Sequence, residues 1–252
     1  MAFFQFHFFS EALGMQTEAY VIMPQRQTRG QIGVNKKAEG EKYKCLYLLH
    51  GLSDDHTAWL RQTSIERYAD KYGICIVMPC AHRSFYLNLP GARNYYTHVA
   101  EELPALMSEF FNVSNKKEDN FVAGLSMGGY GAIKIAMREK DRFAAAAGLS
   151  TVTEMRTPER LAFGKQLLGA VDDISEEEDL FYISDKMIKA EDAPRLFMAV
   201  GTEDYVYPEN IRFKDHLKSR GFDLTYIEAP GNHTWEFWDH YIQVALEWMF
   251  NN

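Results

Sequence analysis

Residues 121–133, with the sequence FVAGLSMGGYGAI, constrain the fold of this chain more than any other stretch. An apolar run is followed by a turn crowded with glycine and then by the start of a helical pattern. Ser126 stands at the apex, with Gly124 and Gly128 on either side in a G-x-S-x-G arrangement. A tight strand-to-helix turn brings the flanking positions so close that a Cβ would clash, and it lifts the serine hydroxyl clear of the sheet edge. The stretch therefore predicts a nucleophilic serine at the end of a strand.

Apolar runs of strand length alternate with helical patterns on both sides of this turn. Such alternation is typical of a parallel sheet with helices on both faces, whose central strands are apolar throughout. One helix is predicted over about 57–72 and another over about 97–111, where Pro104 predicts a kink. The predicted strands cover residues 17–23, 43–49, 74–78, 121–125, 143–150, 195–201 and 224–230.

Residues 151–192 interrupt the alternation with a polar, helical run that contains the acidic cluster 176–179. An insertion at this point could cover a binding site as a cap, or it could simply pack on the surface. We predict one α/β domain over 1–252 with a small cap-like insertion at 151–192. At the N-terminus, the alternation of Phe4, Phe6 and Phe8 predicts a strand, which could form a sheet edge used in a homo-oligomer.

Composition narrows the classes of partner. The chain has 252 residues, 46% of them hydrophobic and 25% charged, as expected for a folded globule. Its formal net charge of −8 argues against nucleic acid or an anionic membrane surface as a partner. No apolar run approaches the ~18 residues of a membrane span. Neither nucleic acid nor a membrane is therefore an expected partner; the expectation of a small-molecule substrate rests on the candidate catalytic residues.

The three cysteines, Cys45, Cys75 and Cys80, are odd in number and lack the spacing of metal ligands. The N-terminal residues lack the basic leader and small-residue cleavage site of a signal peptide. These features predict buried, reduced thiols, no metal site and a cytoplasmic location.

Candidate catalytic residues follow several predicted strands. In parallel sheets, chemistry gathers where loops leave the carboxyl ends of strands. Ser126, Asp204 and His233 all occupy such loops, and their order along the chain is that of α/β-hydrolases. His233 would take the serine proton as a general base, while Asp204 would orient the imidazole. Glu203, adjacent to Asp204, is a rival for the role of the acid.

An acyl-transfer site also needs donors for the oxyanion that forms during attack. The backbone N–H of Met127, next to the nucleophile, and that of Leu52, after the strand 43–49, are predicted to supply them. His50, Trp59 and Trp235 are candidate substrate-binding residues near the same loops, although His50 in a His-Gly turn also suits a role in supporting the loop. The pattern does not decide whether Trp59, Trp235 and Trp238 belong to the core or line the pocket.

Four segments together resemble a known family. They are HGLSDDHTAW at 50–59, GLSMGG at 124–129, GTED at 201–204 and GNHTW at 231–235. In combination they resemble the putative-esterase (esterase D-like) family of α/β-hydrolases, and within it the bacterial tributyrin esterases, over essentially the whole chain. The resemblance implies an α/β-hydrolase fold and a serine carboxylesterase that hydrolyses short-chain acyl esters through an acyl-Ser126 intermediate and needs no cofactor.

The resemblance to this family does not define the substrate. Its members include S-formylglutathione hydrolases, feruloyl and acetyl-xylan esterases, and mycolyltransferases. The alternatives are therefore an S-formylglutathione hydrolase or a feruloyl or acetyl-xylo-oligosaccharide esterase, with an acyltransferase as a remote alternative. Fold and catalytic residues transfer within such a family more safely than substrate.

Overall fold

The computed structural model describes residues 1–25, 41–91, 93–168 and 174–251. Its strands are β1 (Ala2–Ser10), β2 (Met15–Met23), β3 (Cys45–Leu49), β4 (Cys75–Pro79), β5 (Asn88–Leu89), β6 (Arg93–Asn94), β7 (Asn120–Leu125), β8 (Ala145–Leu149), β9 (Arg195–Gly201) and β10 (Leu224–Ala229). Its α-helices are α1 (Ala58–Gln62), α2 (Ile65–Tyr72), α3 (Tyr95–Thr97), α4 (Leu103–Phe110), α5 (Met127–Arg138), α6 (Pro158–Leu168), α7 (Leu180–Tyr182), α8 (Tyr207–Ser219) and α9 (Trp235–Phe250).

Eight of the strands form one sheet in the order β1-β2-β4-β3-β7-β8-β9-β10, while β5 and β6 form a separate small hairpin. The β1–β2 hairpin joins the sheet antiparallel to β4, and the strands from β4 to β10 in this order run parallel. This confirms the predicted, mainly parallel sheet. The register pairs Leu49 of β3 with Gly124 of β7, and Leu125 with Leu149 of β8. The loops that follow these strands therefore leave the sheet side by side.

The core lies on both faces of the sheet, because alternate side chains of the buried central strands point in opposite directions. On one face, residues such as Tyr47 and Val122 pack with α4, α5 and α8. On the other face, residues such as Leu46 and Ala123 pack with α2 and α9. The prediction of helices on both faces is thereby confirmed.

The helix predicted over 57–72 is two helices, because the chain is extended at Thr63, with φ −135° and ψ 176°. The hydroxyl of Thr63 donates to the carbonyl of Trp59 over 2.6 Å and accepts from the N–H of Ile65 over 3.1 Å. A threonine that satisfies backbone groups in this way competes with the helical ladder. The sequence pattern did not reveal this break.

The helix predicted over 97–111 also has a more detailed structure. A π-helical turn, His98–Glu102, separates α3 from α4, and Pro104 lies in the first turn of α4. The N–H of Leu103 donates to the carbonyl of His98, so α4 continues directly from the π-helical turn. Pro104, which has no N–H to donate, lies where the hydrogen-bond pattern changes between the two. Within the described part of the chain, no helix is long and apolar enough to cross a membrane.

Residues 151–192 connect β8 to β9 and contain α6 and α7. This insertion is attached to α5 through Glu178, whose backbone carbonyl accepts a hydrogen bond from the hydroxyl of Tyr130 over 2.6 Å. The insertion therefore rests on the helix that begins immediately after Ser126.

Candidate active site

Ser126 lies in the turn between β7 and α5 with a backbone conformation that side-chain-bearing residues rarely adopt. Its φ is 54° and its ψ −116°, and its N–H donates to the carbonyl of Leu149 over 2.8 Å. A Cβ at Gly124 would lie 2.3 Å from the carbonyl oxygen of Gly128, and one at Gly128 would lie 2.4 Å from that of Leu49. The two glycines of the motif are therefore required by the close approach of backbones around the turn.

Asp204 and His233 form a hydrogen-bonded pair at the ends of β9 and β10. The His233 Nδ1 lies 3.0 and 2.9 Å from the two carboxylate oxygens of Asp204, and Asp204 is buried. Burial opposes ionisation of Asp204, but the hydrogen bonds from His233 and from the N–H of Val206 outweigh it and lower the pKa of the carboxyl. The buried carboxylate thus holds the proton of His233 on Nδ1 and leaves Nε2 available for chemistry.

Glu203, the rival acid, points elsewhere. Its exposed carboxylate accepts hydrogen bonds from the N–H of Gly231 over 2.5 Å and from the hydroxyl of Thr202 over 2.9 Å. Glu203 therefore stabilises the loop that carries His233, whereas the imidazole itself is bound by Asp204.

Ser150 and Trp238 support this pair. Sequence reasoning gave Ser150 no role and left open whether Trp238 belongs to the core or lines the pocket; the structure places Trp238 in the cavity lining. The Nε1–H of Trp238 donates to the Ser150 hydroxyl over 3.0 Å. Against the burial of Asp204, the Ser150 side chain helps His233 to lower the pKa of that carboxyl. The ring of Trp238 also meets that of His233 edge-on, with 4.9 Å between centroids. The position of Ser150 directly after β8 was the only sequence signal that could have indicated its role.

Tyr205 is a further residue that sequence reasoning missed. Its hydroxyl lies 3.3 Å from Nε2 of His233, its ring centroid lies 4.6 Å from the imidazole, and it lines the same cavity as Ser126. Between the described side chains of Ser126 and His233 themselves there is no direct hydrogen bond. Tyrosine after an acidic residue is no recognised motif, so only the structure could reveal this contact.

A cavity of about 590 Å³ opens above Ser126. Leu52, Tyr205, His233 and Trp235 are among the residues that line it. Met127 is the first residue of α5, so its N–H is one of those that a helix leaves without an intrahelical acceptor. None of the described residues that line it belongs to 151–192.

The structure corrects two of the three expected substrate contacts. His50 is 1% exposed: its Nδ1–H donates to the Gly51 carbonyl over 2.7 Å and its Nε2 accepts from the N–H of Ala81 over 3.0 Å. Burial lowers the pKa of His50 to about 4, and a ring whose Nε2 accepts a hydrogen bond is neutral. His50 is therefore a support of the loop after β3, with no free nitrogen for a substrate.

Trp59 is likewise buried, and its Nε1–H donates to the carbonyl of Leu49 over 3.0 Å. Its ring packs edge-on against that of Trp235, with 5.1 Å between centroids. Trp235 lines the cavity and Trp59 lies behind it, so Trp59 holds the pocket wall instead of contacting what binds there. Among the residues that the structure describes, no group of three or more His, Cys, Asp and Glu side chains could hold a metal ion.

A parallel sheet with a serine on a strained strand-to-helix turn, followed in the chain by an acid and a histidine on later strand ends, defines an α/β-hydrolase. The sequence matches the family model described as "Putative esterase" over residues 10–249, and the chain belongs to this family. The protein is a carboxylic ester hydrolase.

Similar proteins agree with this assignment. FphF, a fluorophosphonate-binding serine hydrolase of Staphylococcus aureus solved with substrate bound, has a TM-score of 0.88 and 33% identity, covering 100% of this chain and 99% of its own. The apoenzyme of the S-formylglutathione hydrolase FrmB of Staphylococcus aureus has a TM-score of 0.84 and 34% identity, covering 99% of both chains. An acetyl esterase of Caldicellulosiruptor saccharolyticus is 29% identical over 263 residues, which cover 99% of this chain and 98% of that protein.

Proposed function

We propose that this protein is a serine carboxylesterase that hydrolyses short-chain acyl esters through an acyl-Ser126 intermediate. The observation that carries the proposal is the pairing of His233 Nδ1 with the buried carboxylate of Asp204, which leaves Nε2 in the cavity that Ser126 lines. A serine hydroxyl becomes an effective nucleophile when a neutral imidazole accepts its proton during attack.

In acylation, the Oγ of Ser126 attacks the ester carbonyl while its proton passes to Nε2 of His233. Asp204 stabilises the imidazolium that forms. The N–H groups of Leu52 and Met127 are proposed to donate to the oxyanion of the tetrahedral intermediate. The intermediate collapses with cleavage of the bond to the alcohol oxygen, which takes the proton from Nε2 and leaves.

In deacylation, a water molecule gives a proton to Nε2 and attacks the acyl carbonyl. The second tetrahedral intermediate releases the carboxylic acid, and the proton returns from Nε2 to the Oγ of Ser126. Each step uses groups of this chain, so the proposed mechanism requires no metal or cofactor.

The charge of the cavity favours a neutral alcohol portion. Among its described lining residues, Asp54 and Glu236 are acidic and none is lysine or arginine. Glutathione carries two carboxylates, so its thioester would bring like charge towards these two side chains. The similarity to an S-formylglutathione hydrolase keeps that thioester as the second candidate. Acetylated or feruloylated xylo-oligosaccharides are neutral at the alcohol portion and suit the same cavity, while transfer to an alcohol acceptor would use the same acyl-enzyme.

A burst experiment tests the proposal. p-Nitrophenyl acetate and butyrate should release a stoichiometric burst of p-nitrophenol, and Ser126→Ala should abolish it. Turnover of Ser126→Ala near that of the wild type would overturn the assignment of the nucleophile. Parallel rates with S-formylglutathione, acetylated xylobiose and a feruloyl ester rank the substrate classes; faster turnover of the thioester than of every oxygen ester would favour the second candidate.

We infer a cytoplasmic location from the cysteines. Cys45 and Cys75 are register partners on adjacent strands β3 and β4, and both are buried free thiols. Burial raises the pKa of the Cys75 thiol well above its usual range, which keeps it protonated and unreactive. Reduced, neighbouring thiols suit a reducing compartment.

We also infer that the protein forms a homo-oligomer through the β1 edge. In the described sheet β1 is the outermost strand, and Phe3, Phe4 and Phe9 on it are exposed. Open strand edges of this kind invite pairing with another chain. Light scattering on the purified protein tests the inference, and a monomer at every concentration would contradict it.

A further inference from the structure

The hydroxyl of Tyr205 lies beside the groups that exchange a proton in the proposed reaction. It lies 3.3 Å from Nε2 of His233, and Tyr205 lines the same cavity as Ser126. Burial raises the pKa of Tyr205, and the nearby Ser126 side chain opposes that shift. In ester hydrolysis, the atom that lies next to both the serine Oγ and the histidine Nε2 is the oxygen of the leaving alcohol, and during deacylation it is the oxygen of water. In the free protein the phenol oxygen therefore takes a place on Nε2 of His233 that the alcohol oxygen needs during the reaction.

The surroundings of Tyr205 allow it to give up this position. Tyr205 is 69% exposed, and among the described residues the hydrogen-bond partner of its hydroxyl is Nε2 of His233. Its backbone, in contrast, is held between fixed neighbours: the Asp204 carboxylate accepts from the N–H of Val206 over 3.0 Å, and the Asp204 carbonyl accepts from the N–H of Tyr207 over 3.0 Å. An exposed side chain on a fixed backbone can rotate without any change in the pair of Asp204 and His233.

We propose that Tyr205 is a catalytic residue of the alcohol subsite, whose hydroxyl is displaced by the alcohol oxygen of the ester and then donates a hydrogen bond to that oxygen as it leaves. This inference rests on the proposed esterase function and specifies the side of the ester that Tyr205 contacts. The bond between the acyl carbon and the alcohol oxygen breaks, the proton comes from Nε2 of His233, and the phenol O–H keeps its own proton while it stabilises the charge that develops on the oxygen.

Two consequences follow for the choice of substrate. A donor to the leaving oxygen helps most when that oxygen carries much charge and is a poor leaving group, as in an ethyl ester. It helps little for p-nitrophenolate, which leaves readily without assistance. The ring of Tyr205 also limits the width of the alcohol subsite, so a bulky alcohol must compete with it for space.

The test compares esters of one acid with different alcohols. In Tyr205→Phe, kcat/KM for ethyl butyrate should fall about tenfold, the effect of one hydrogen bond, while kcat/KM for p-nitrophenyl butyrate should change by less than about twofold. In Tyr205→Ala, kcat/KM for benzyl butyrate should rise relative to kcat/KM for ethyl butyrate. Tyr207→Phe is the matched control, because the hydroxyl of Tyr207 binds Glu228 over 2.8 Å on the surface. This variant should leave the kcat/KM ratio of ethyl to p-nitrophenyl butyrate and that of benzyl to ethyl butyrate unchanged.

The outcomes separate this inference from the proposed function. Equal losses for the ethyl and p-nitrophenyl esters in Tyr205→Phe, or no loss for either, would overturn the role of Tyr205 while the wild-type burst still supported the esterase. Absence of the burst from the wild-type protein would instead remove the function on which the inference rests.

Discussion

The ammonium group of Lys134 and the carboxylate of Glu178 lie 2.7 Å apart and join helix α5 to the insertion between β8 and β9. Lys134 is fully buried and also donates to the carbonyl of Tyr86 over 2.8 Å. Burial lowers the pKa of Lys134 to about 8, although Glu178 partly opposes the shift. The helix that carries the nucleophile at its start is thus attached, two turns later, to the insertion by a buried ion pair.

Lys134→Met should lower the free energy of unfolding by about 3 kcal/mol, because it leaves the largely buried Glu178 without its nearest cation. The double variant Lys134→Met, Glu178→Gln should recover part of that loss. Urea unfolding at pH 7 measures both. Lys140→Met serves as control, since Lys140 pairs with Asp192 at the surface over 3.6 Å and should cost less than about 1 kcal/mol. Equal losses for Lys134 and Lys140 would contradict the importance of the buried pair.

Asp204→Asn should reduce kcat by about four orders of magnitude, because the amide no longer holds the imidazole in the required tautomer. Glu203→Gln should leave kcat nearly unchanged, since a glutamine oxygen can still accept from the N–H of Gly231. Steady-state rates with p-nitrophenyl butyrate distinguish the two neighbouring acids. A larger loss in Glu203→Gln than in Asp204→Asn would reverse the assignment.

The low pKa of the buried His50 imidazole predicts a loss of folding stability in acid. The unfolded chain takes up a proton at this position near pH 6.5, whereas the folded chain does so near pH 4. The stabilisation from the neutral ring is therefore complete above pH 6.5 and is lost as the pH falls from there to about 4, by about 3 kcal/mol in all. Urea unfolding at pH 7 and pH 5 should show a smaller decrease in His50→Gln than in the wild type.

The exposed His240 provides the control for that experiment. His240→Gln should keep the pH dependence of the wild type, because replacing it removes no buried imidazole. The buried His56 and His98 are present in every variant and cancel in the comparison. An unchanged pH dependence in His50→Gln would show that His50 does not stay neutral in the folded protein.

Gly201→Ala should impair folding and catalysis together. A Cβ at Gly201 would lie 2.2 Å from the carbonyl oxygen of Gly231, so it would force apart the loops that carry Asp204 and His233. We expect a loss of more than about 2 kcal/mol in stability and a fall in kcat of at least tenfold. Gly221→Ala is the control: its Cβ would meet open space, and its φ of 79° costs about 1 kcal/mol. Wild-type kcat in Gly201→Ala would contradict this account.

The arrangement of Ser126, Asp204 and His233 could be predicted from the sequence because each follows an apolar strand. Parallel strands bring their carboxyl ends to one edge, so the order of the strands along the chain is enough to bring distant residues together. The same argument predicted the parallel sheet and its two layers of helices. It could not choose between Asp204 and Glu203, since successive residues after a strand point in different directions and only the hydrogen bonds of each carboxylate decide.

Residues whose role depends on burial were harder to predict from the sequence. His50 and Trp59 lie in the expected loops, yet both face inwards and satisfy backbone groups, which no local pattern reports. Tyr205 and Ser150 act through contacts between different strand ends, and neither carries a motif. The break at Thr63 was missed for a related reason, because a side-chain hydroxyl competes there with the helical ladder inside a pattern that otherwise favours one long helix.

The backbone conformation of Ser126 is required for activity but lowers the thermal stability of the protein. A φ of 54° costs a serine about 1–3 kcal/mol, whereas glycine adopts it freely. Ser126→Gly should therefore raise the melting temperature while it removes the nucleophile. Changes that stabilise this enzyme against heat and keep its activity must then lie away from the turn between β7 and α5, where they leave the strained serine in place.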